Sequence, residues 1–430
     1  MIEKKNLILL TLTLMLVSVQ FAGPVNAKPG ILPQWMFLAY LDLDNDLDTV
    51  IEVDGVRTFD AAQVWLEQMA ADINPTSYVR TIVFVDRYYN WIDAENGNAR
   101  TYELRADEII LLKDNGEVDM SSGDTLYDFL SWATRKYSAE KYSLMIFDHG
   151  KGWLGCCVDS HKPEPGAAWM SMPVLETAIT EAEAVGSFML DVLAFNACSM
   201  QMTEVAFQMR NCAKVVVGSE EAGGFSVPIF ILSELTLHPE LDAAGLGTLF
   251  VVESTINHSR ARILSAIDLT LIGQMVSNLN TFGFYLDNYL KDPVYGDQYK
   301  AAITDCCAST LEFGLYEVPE GLGYSDLYHF MELCYASTTA GLLPREKPFI
   351  NSMTLIMGGI ESMVIANGIN PRLTEEELQM YANAHGVSIW LPYDEPIIFN
   401  SAEQDYLLLD LPSESGAPFW LTWLDTYLNG

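Results

Sequence analysis

Apolar residues in this chain come in two alternating textures: short unbroken runs, and stretches in which they recur every three or four positions. A mostly parallel sheet covered by helices requires that alternation, because its strands are buried on both faces while each helix buries one. Trp35–Leu41 (WMFLAYL), Ser77–Asp86 (SYVRTIVFVD), Tyr142–Gly150 (YSLMIFDHG), Asp191–Met200 (DVLAFNACSM) and Lys214–Gly218 (KVVVG) belong to the first texture and are predicted strands. Phe59–Ala71, Asp124–Lys136, Met172–Ala184 and Thr203–Met209 belong to the second and are predicted helices. The first strand, first helix and second strand make a βαβ unit. Asp124–Lys136 opens on an acid and closes on bases, as the helix dipole favours. Between Tyr88 and Leu112, Asn90, Asn96, Gly97 and Asn98 separate short aromatic runs and predict a hairpin. Beyond Gly218 the spacing is mainly helical from Leu246 to about Leu290, broken by Ser265–Asp268. Leu355–Val364, although interrupted by Gly358-Gly359, and His385–Pro392 read as two more strands, and Trp420–Leu428 as a closing amphipathic helix.

With 430 residues, half of them hydrophobic, the chain has material for a large core. No repeat or linker divides it, so one elaborated α/β domain is expected over residues 28–430. Met1–Ala27 reads differently. Lys4 and Lys5, the apolar run Leu7–Val19, and Val25-Asn26-Ala27 form the three parts of a secretory signal peptide. The apolar run is shorter than the roughly 20 residues of a spanning helix, so export of a chain starting near Lys28 is expected, without stable membrane insertion. A net charge of −35 repels nucleic acid and anionic lipid, speaks against both as partners, and suits a well-solvated extracellular surface. Nothing in the sequence sets an oligomeric state. Asp42–Asp48 (DLDNDLD) alternates acids, but an EF-hand would need glycine in place of Leu47 and glutamate in place of Val53. It is read as a solvated loop with weak ion binding at most. Lys151–Gly155 (KGWLG) is a glycine-rich loop whose backbone can approach a ligand closely, without the GxxxxGK(S/T) pattern that cradles phosphate.

The cysteines number seven, and in an oxidising compartment an odd count leaves at least one thiol unpaired. The neighbours Cys156-Cys157 and Cys306-Cys307 are poorly placed to bond to each other, and no Cys/His spacing suits zinc. Cys198 stands apart: a buried strand ends in Asn196-Ala197-Cys198 just ahead of a helix, whose N-terminus would stabilise a thiolate. A lone cysteine is more often structural than catalytic, so it needs a base. His149-Gly150 ends the preceding predicted strand, and parallel neighbours would bring the two ends together at the C-terminal edge, where α/β sheets collect chemistry. His385 also precedes a glycine but begins its strand instead of ending one; His161 falls in a loop, and His238, His258 and His329 lie in or beside helical stretches. Ser219, Glu220 and Glu221, with Gly223-Gly224, follow the Lys214–Gly218 strand and are expected to border the same pocket.

The His-Gly and Ala-Cys blocks, in that order and each after an apolar strand, have WMFLAYLDLDNDL, VVVGSEE, LSAIDL and HGVSIWLP around them. Together they resemble the clostripain family of cysteine peptidases over most of the chain beyond residue 28. The resemblance implies a caspase-like three-layer α/β/α sandwich with a largely parallel central sheet and C-terminal helical and strand elaborations. It implies cleavage of protein or peptide substrates by a His/Cys dyad with no obligatory third acid. Cys198 would be the nucleophile, His149 the general acid/base, and the N–H groups of Gly150 and Cys198 the oxyanion hole, with an acyl-enzyme hydrolysed by water. Members that cut after Arg or Lys carry an acid two residues before the cysteine. Here that position is Asn196, which leaves the P1 preference open, with Glu220 or Glu221 as substitute acids. The resemblance requires no cofactor or metal, although some members need calcium. The alternative from another class is an inactive family member that binds peptides or surfaces after export.

Overall fold

The computed structural model describes residues 32–48, 50–53, 56–88, 98–161, 169–223, 229–314 and 323–430. The signal-peptide reading of Met1–Ala27 lies outside these residues, as do Asn90, Asn96 and Gly97.

Trp35–Leu43 is the central strand, and all nine of its residues are buried. Met36, Leu38 and Tyr40 enter one core and Trp35, Phe37, Ala39 and Leu41 the other, so an unbroken apolar run is what its position demands. It belongs to a nine-stranded sheet. Across that sheet the order is Val364–Ile369, Ile263–Asp268, Ala213–Gly218, Leu190–Asn196, Lys141–Phe147, Trp35–Leu43, Val79–Arg87, Ala99–Arg105 and Glu108–Gly116. From Ala213–Gly218 to Val79–Arg87 the strands are parallel, and both edges are finished by antiparallel strands. Ala61–Ala71, Ile229–Leu237 and Ala243–Val251 cover one face; Gly123–Lys136, Met172–Gly186, Ile272–Leu290 and Lys347–Met363 build the core on the other. The expected α/β/α sandwich is present. Among the described residues no helix is long and apolar enough to cross a membrane.

The chain steps from Trp35–Leu43 to Val79–Arg87 on one side and then returns to Lys141–Phe147 on the other. The C-terminal ends of these strands therefore flank the topological switch point, the crevice where open α/β sheets hold ligands.

Three local expectations change. The hairpin after Tyr88 forms, but it turns at Ala106-Asp107, with Asp107 at a left-handed φ of 58°. Leu355–Val364 is not a strand: Lys347–Met363 is a helix, and the strand begins only at Val364. Phe349, Met353, Ile356, Ile360 and Met363 recur at helical spacing on its buried face while Leu355 is exposed, and Gly359 lies against Met275. His385–Pro392 contracts to Ser388–Trp390, which joins Tyr324–Asp326 and Glu312–Phe313 in a separate small sheet.

Candidate active site

Lys141–Phe147 and Leu190–Asn196 are parallel neighbours in which Phe147 faces Asn196, and the Asp148 N–H donates to the Asn196 carbonyl at 3.3 Å. The two strands end level, so His149-Gly150 and Ala197-Cys198 leave the sheet together. Their backbones are in contact: a Cβ on residue 150 would lie 2.5 Å from the Cys198 carbonyl oxygen and 2.8 Å from its amide nitrogen. Only glycine permits that approach.

No disulfide joins any of the cysteines. Cys156, Cys157, Cys212, Cys306, Cys307 and Cys334 are buried, and burial pushes the Cys212, Cys307 and Cys334 thiols up, away from the thiolate form. Cys198 alone is partly exposed, and the Gly223 N–H donates to its sulfur at 3.1 Å. That amide belongs to the loop after Ala213–Gly218 and not to a helix N-terminus. The helix begins only at Thr203, because Ser199 takes a left-handed φ of 58° and the N–H groups of Ser199 and Gln201 donate to the carbonyls of Glu221 and Ser219 at 3.1 and 3.0 Å. The chain is drawn along the neighbouring loop before it can coil.

The Ser219–Glu221 loop thus borders the thiol through its backbone, while its side chains are committed elsewhere. The Ser219 hydroxyl donates to the Ile263 carbonyl at 3.0 Å. Glu220 accepts from the Gly386 N–H at 3.0 Å, and Glu221 from the Tyr381 hydroxyl at 3.0 Å and the Ala222 N–H at 2.7 Å. Both glutamates are buried, which raises their pKa values. Asn196 is 3% exposed, and its Nδ2 has no hydrogen-bond partner among the described residues.

His149 is held by a residue the sequence reading did not assign to the site. Asp46 Oδ1 lies 2.7 Å from His149 Nε2. A carboxylate only accepts, so the ring donates from Nε2. The same bond lowers the Asp46 pKa. Asn45 was missed as well: its Nδ2 donates to Asp148 Oδ1 at 2.7 Å and to the Val158 carbonyl at 3.0 Å. The usable signal was a run of acids directly after the strand that neighbours the His149 strand, at the ligand-binding edge of the sheet.

Asp42–Asp48 is accordingly not the solvated loop expected from its composition. Asp42 and Asp44 are fully buried, and only Asp46 projects, with its side chain 83% exposed. The strand continues past Leu41 in register with Val79–Arg87, setting Asp42 opposite Asp86 and carrying the acids beneath the loop that follows His149. There His161 donates to Asp44 through its backbone N–H at 3.1 Å, and its ring nitrogen contacts Asp44 Oδ1 at 2.5 Å. Asp86, Glu117, Asp148 and Asp159 complete an acidic group. Burial pushes Asp86 up to about 9, Asp148 and Glu117 to about 7 and Asp159 to about 6. His385 is structural, bonded to Asp326 at 3.1 Å and the Asn383 carbonyl at 2.9 Å and stacked on Tyr328.

A parallel-centred sandwich with an imidazole and a thiol at adjacent strand ends has the architecture of the caspase-like peptidases. The profile of the clostripain family (Peptidase_C11) matches residues 60–370, and the chain belongs to that family. Clostripain of Hathewaya histolytica is 24% identical over an alignment of 222 residues that covers 45% of this chain and 38% of that protein, so the match spans well under half of that relative. The fold is similar to an inactive zymogen C11 protease from Parabacteroides distasonis, with a TM-score of 0.61 and 18% identity over 89% of this chain and 97% of that one. It is also similar to a secreted C11 cysteine protease from Bacteroides thetaiotaomicron in complex with an irreversible peptide inhibitor, with a TM-score of 0.57 and 15% identity over 92% and 98% of the two chains. At these identities the likeness is one of fold.

Proposed function

We propose that this chain is an exported cysteine endopeptidase with Cys198 as nucleophile and His149 as general acid/base. One observation carries the reading: the only partly exposed cysteine and a carboxylate-held histidine follow level ends of adjacent parallel strands, with the backbone of Gly150 against that of Cys198. Family membership gives the bond class, and the leader-like Met1–Ala27 together with a relative described as secreted supports export.

In the reaction, the Cys198 thiol gives its proton to His149 and the sulfur attacks the scissile carbonyl carbon. The electron pair moves to the carbonyl oxygen, which the N–H groups of Gly150 and Cys198 receive. Collapse of the tetrahedral adduct breaks the C–N bond as His149 returns the proton to the leaving amine. A thioester remains. Water, deprotonated by His149, attacks it and regenerates the thiol with release of the new carboxyl terminus. These steps use the chain's own residues.

Cys198→Ala is expected to abolish hydrolysis across a diverse peptide library while leaving the melting temperature unchanged. Turnover by that variant at the parent rate would overturn the assignment. Prompt iodoacetamide labelling of Cys198 without cleavage of any library peptide would instead favour the inactive, peptide-binding reading.

A further inference from the structure

We propose that the backbone N–H of Gly223 is a catalytic hydrogen-bond donor that stabilises the Cys198 thiolate, and that Tyr381 positions it. This deepens the reading of Cys198 as nucleophile and rests on it. Gly223 lies beyond the Ala213–Gly218 strand, 25 residues from Cys198 along the chain, yet its N–H meets the sulfur at 3.1 Å. The sulfur of a neutral thiol is a weak acceptor, whereas a thiolate accepts a charge-assisted hydrogen bond. A donor held at that distance favours the charged form and lowers the pH at which the nucleophile exists. When the sulfur attacks a carbonyl carbon, its charge passes to the carbonyl oxygen and the Gly223 bond weakens. The amide therefore raises the fraction of thiolate and slightly tempers its nucleophilicity.

The loop is built to deliver this amide. The Glu221 N–H donates to the Ser219 hydroxyl at 3.2 Å and the Ala222 N–H to Glu221 Oε1 at 2.7 Å. Two consecutive amides are thus taken within the loop, and the next, that of Gly223, reaches across to the sulfur. From the Cys198 side the N–H groups of Ser199 and Gln201 hold the same loop by the carbonyls of Glu221 and Ser219. Gly223 has a φ of 108°, which L side chains rarely adopt, and a Cβ on it would meet nothing within 4 Å among the described residues. Glycine is needed here for the backbone angle that aims the N–H and not for space.

Tyr381 is buried in the C-terminal part of the chain, and its hydroxyl donates to Glu221 Oε2 at 3.0 Å, on the carboxyl whose Oε1 takes the Ala222 N–H. One carboxyl thus ties the turn before Gly223 to a residue 160 positions away. The titratable and charged groups on the elements about the sulfur are few. They are His149 at the end of the neighbouring strand, with Asp46 on its ring, Glu220 and Glu221 in the loop, and Arg262, whose charge acts on Glu221. Gly223→Ala alters none of them, so a difference between that variant and the parent belongs to the amide.

The test reads the thiol and not peptide cleavage. Alkylation of Cys198 by iodoacetamide is followed against pH in the chain from Lys28 onward, in Gly223→Ala and in Tyr381→Phe, with the labelled peptide identified by mass spectrometry. In Gly223→Ala the midpoint of the rate profile should rise by about one pH unit, as loss of one hydrogen bond to a charged group predicts. Its plateau at high pH should rise about 2–3-fold, because a more basic thiolate is the better nucleophile. Gly223 is exposed, so the melting temperature should stay that of the parent. Tyr381→Phe keeps the buried ring, removes only the hydroxyl, and should move the midpoint the same way by less. An unmoved or lowered midpoint in Gly223→Ala would overturn the proposal, and a lower plateau beside it would show that the loop only shapes access to the sulfur. An unmoved midpoint in Tyr381→Phe alone would remove Tyr381 from the assignment. Peptide turnover by Cys198→Ala would instead strike the nucleophile itself, whichever way the midpoint moves.

Discussion

Asn196 decides what the cleft can recognise after the bond to be cut. It sits at the end of the Cys198 strand, nearly inaccessible, with an amide nitrogen that has donors to give and no acceptor among the described residues. A guanidinium entering beside it would meet another donor and no carboxylate, since Glu220 and Glu221 are engaged with Gly386 and Tyr381. The parent enzyme is therefore expected to show no sharp preference for Arg or Lys at P1. Asn196→Asp should raise kcat/KM for P1-Arg substrates roughly 10–100-fold, which is what a charge-assisted hydrogen bond of about 1.5–3 kcal/mol is worth. A P1 library profile of both proteins checks this, and a strict Arg preference in the parent would contradict it. Asp46 belongs to the same scale. Asp46→Ala should lower kcat about tenfold with KM and melting temperature unchanged, because its side chain is exposed and touches the His149 ring. An unchanged kcat in stopped-flow or steady-state assays would reduce the contact to an ordinary surface pair. The two residues were not equally legible in the sequence. Asn196 is tied to Cys198 by its place in the strand, whereas the partner of a loop acid depends on which strand ends stack, and no local pattern encodes that.

At the scale of elements, what could be read from sequence was whatever carried its own period. The sheet interior strands were legible because both of their faces are buried, and Gly123–Lys136 because its Ser122 cap, acidic start and basic end agree with its apolar stripe. Lys347–Met363 was misread because a helix packed between others is apolar over much of its surface and a glycine pair hid its spacing. Thr203–Gln208 forms as its spacing predicts, but its surroundings were not legible: all six of its residues are buried, Glu204 and Gln208 included. Within it Glu204 accepts the Trp390 N–H and the Tyr406 hydroxyl, both at 2.9 Å, joining the segment after Cys198 to the C-terminal part of the chain. Burial lifts the Glu204 pKa from an ordinary 4.5 to about 7. With the folded-state value raised, the stability contributed by the protonated acid is complete below the unfolded value and is lost as pH rises through about 7. Full ionisation costs on the order of 3 kcal/mol at 1.36 kcal/mol per unit. Glu204→Gln, which keeps the acceptor oxygen and cannot ionise, should therefore lose less stability than the parent between about pH 5 and pH 8 in denaturant or thermal melts. Parallel pH profiles for the two proteins would show that Glu204 does not carry this dependence.

At the scale of the whole molecule, the loop that follows His149 is braced from two directions. The C-terminal elaboration holds it through Trp153, whose ring lies 4.9 Å from both Trp390 and Tyr406, and through the Tyr324 hydroxyl, which donates to the Lys151 carbonyl at 2.7 Å. From the other side Asp42–Asp48 reaches across the switch point, and its consecutive residues serve different ends: Asp44 accepts the His161 N–H at 3.1 Å, Asn45 holds Asp148, and Asp46 holds His149. The base is therefore set by contacts from two parts of the chain far apart in sequence, and no segment around His149 encodes its position by itself.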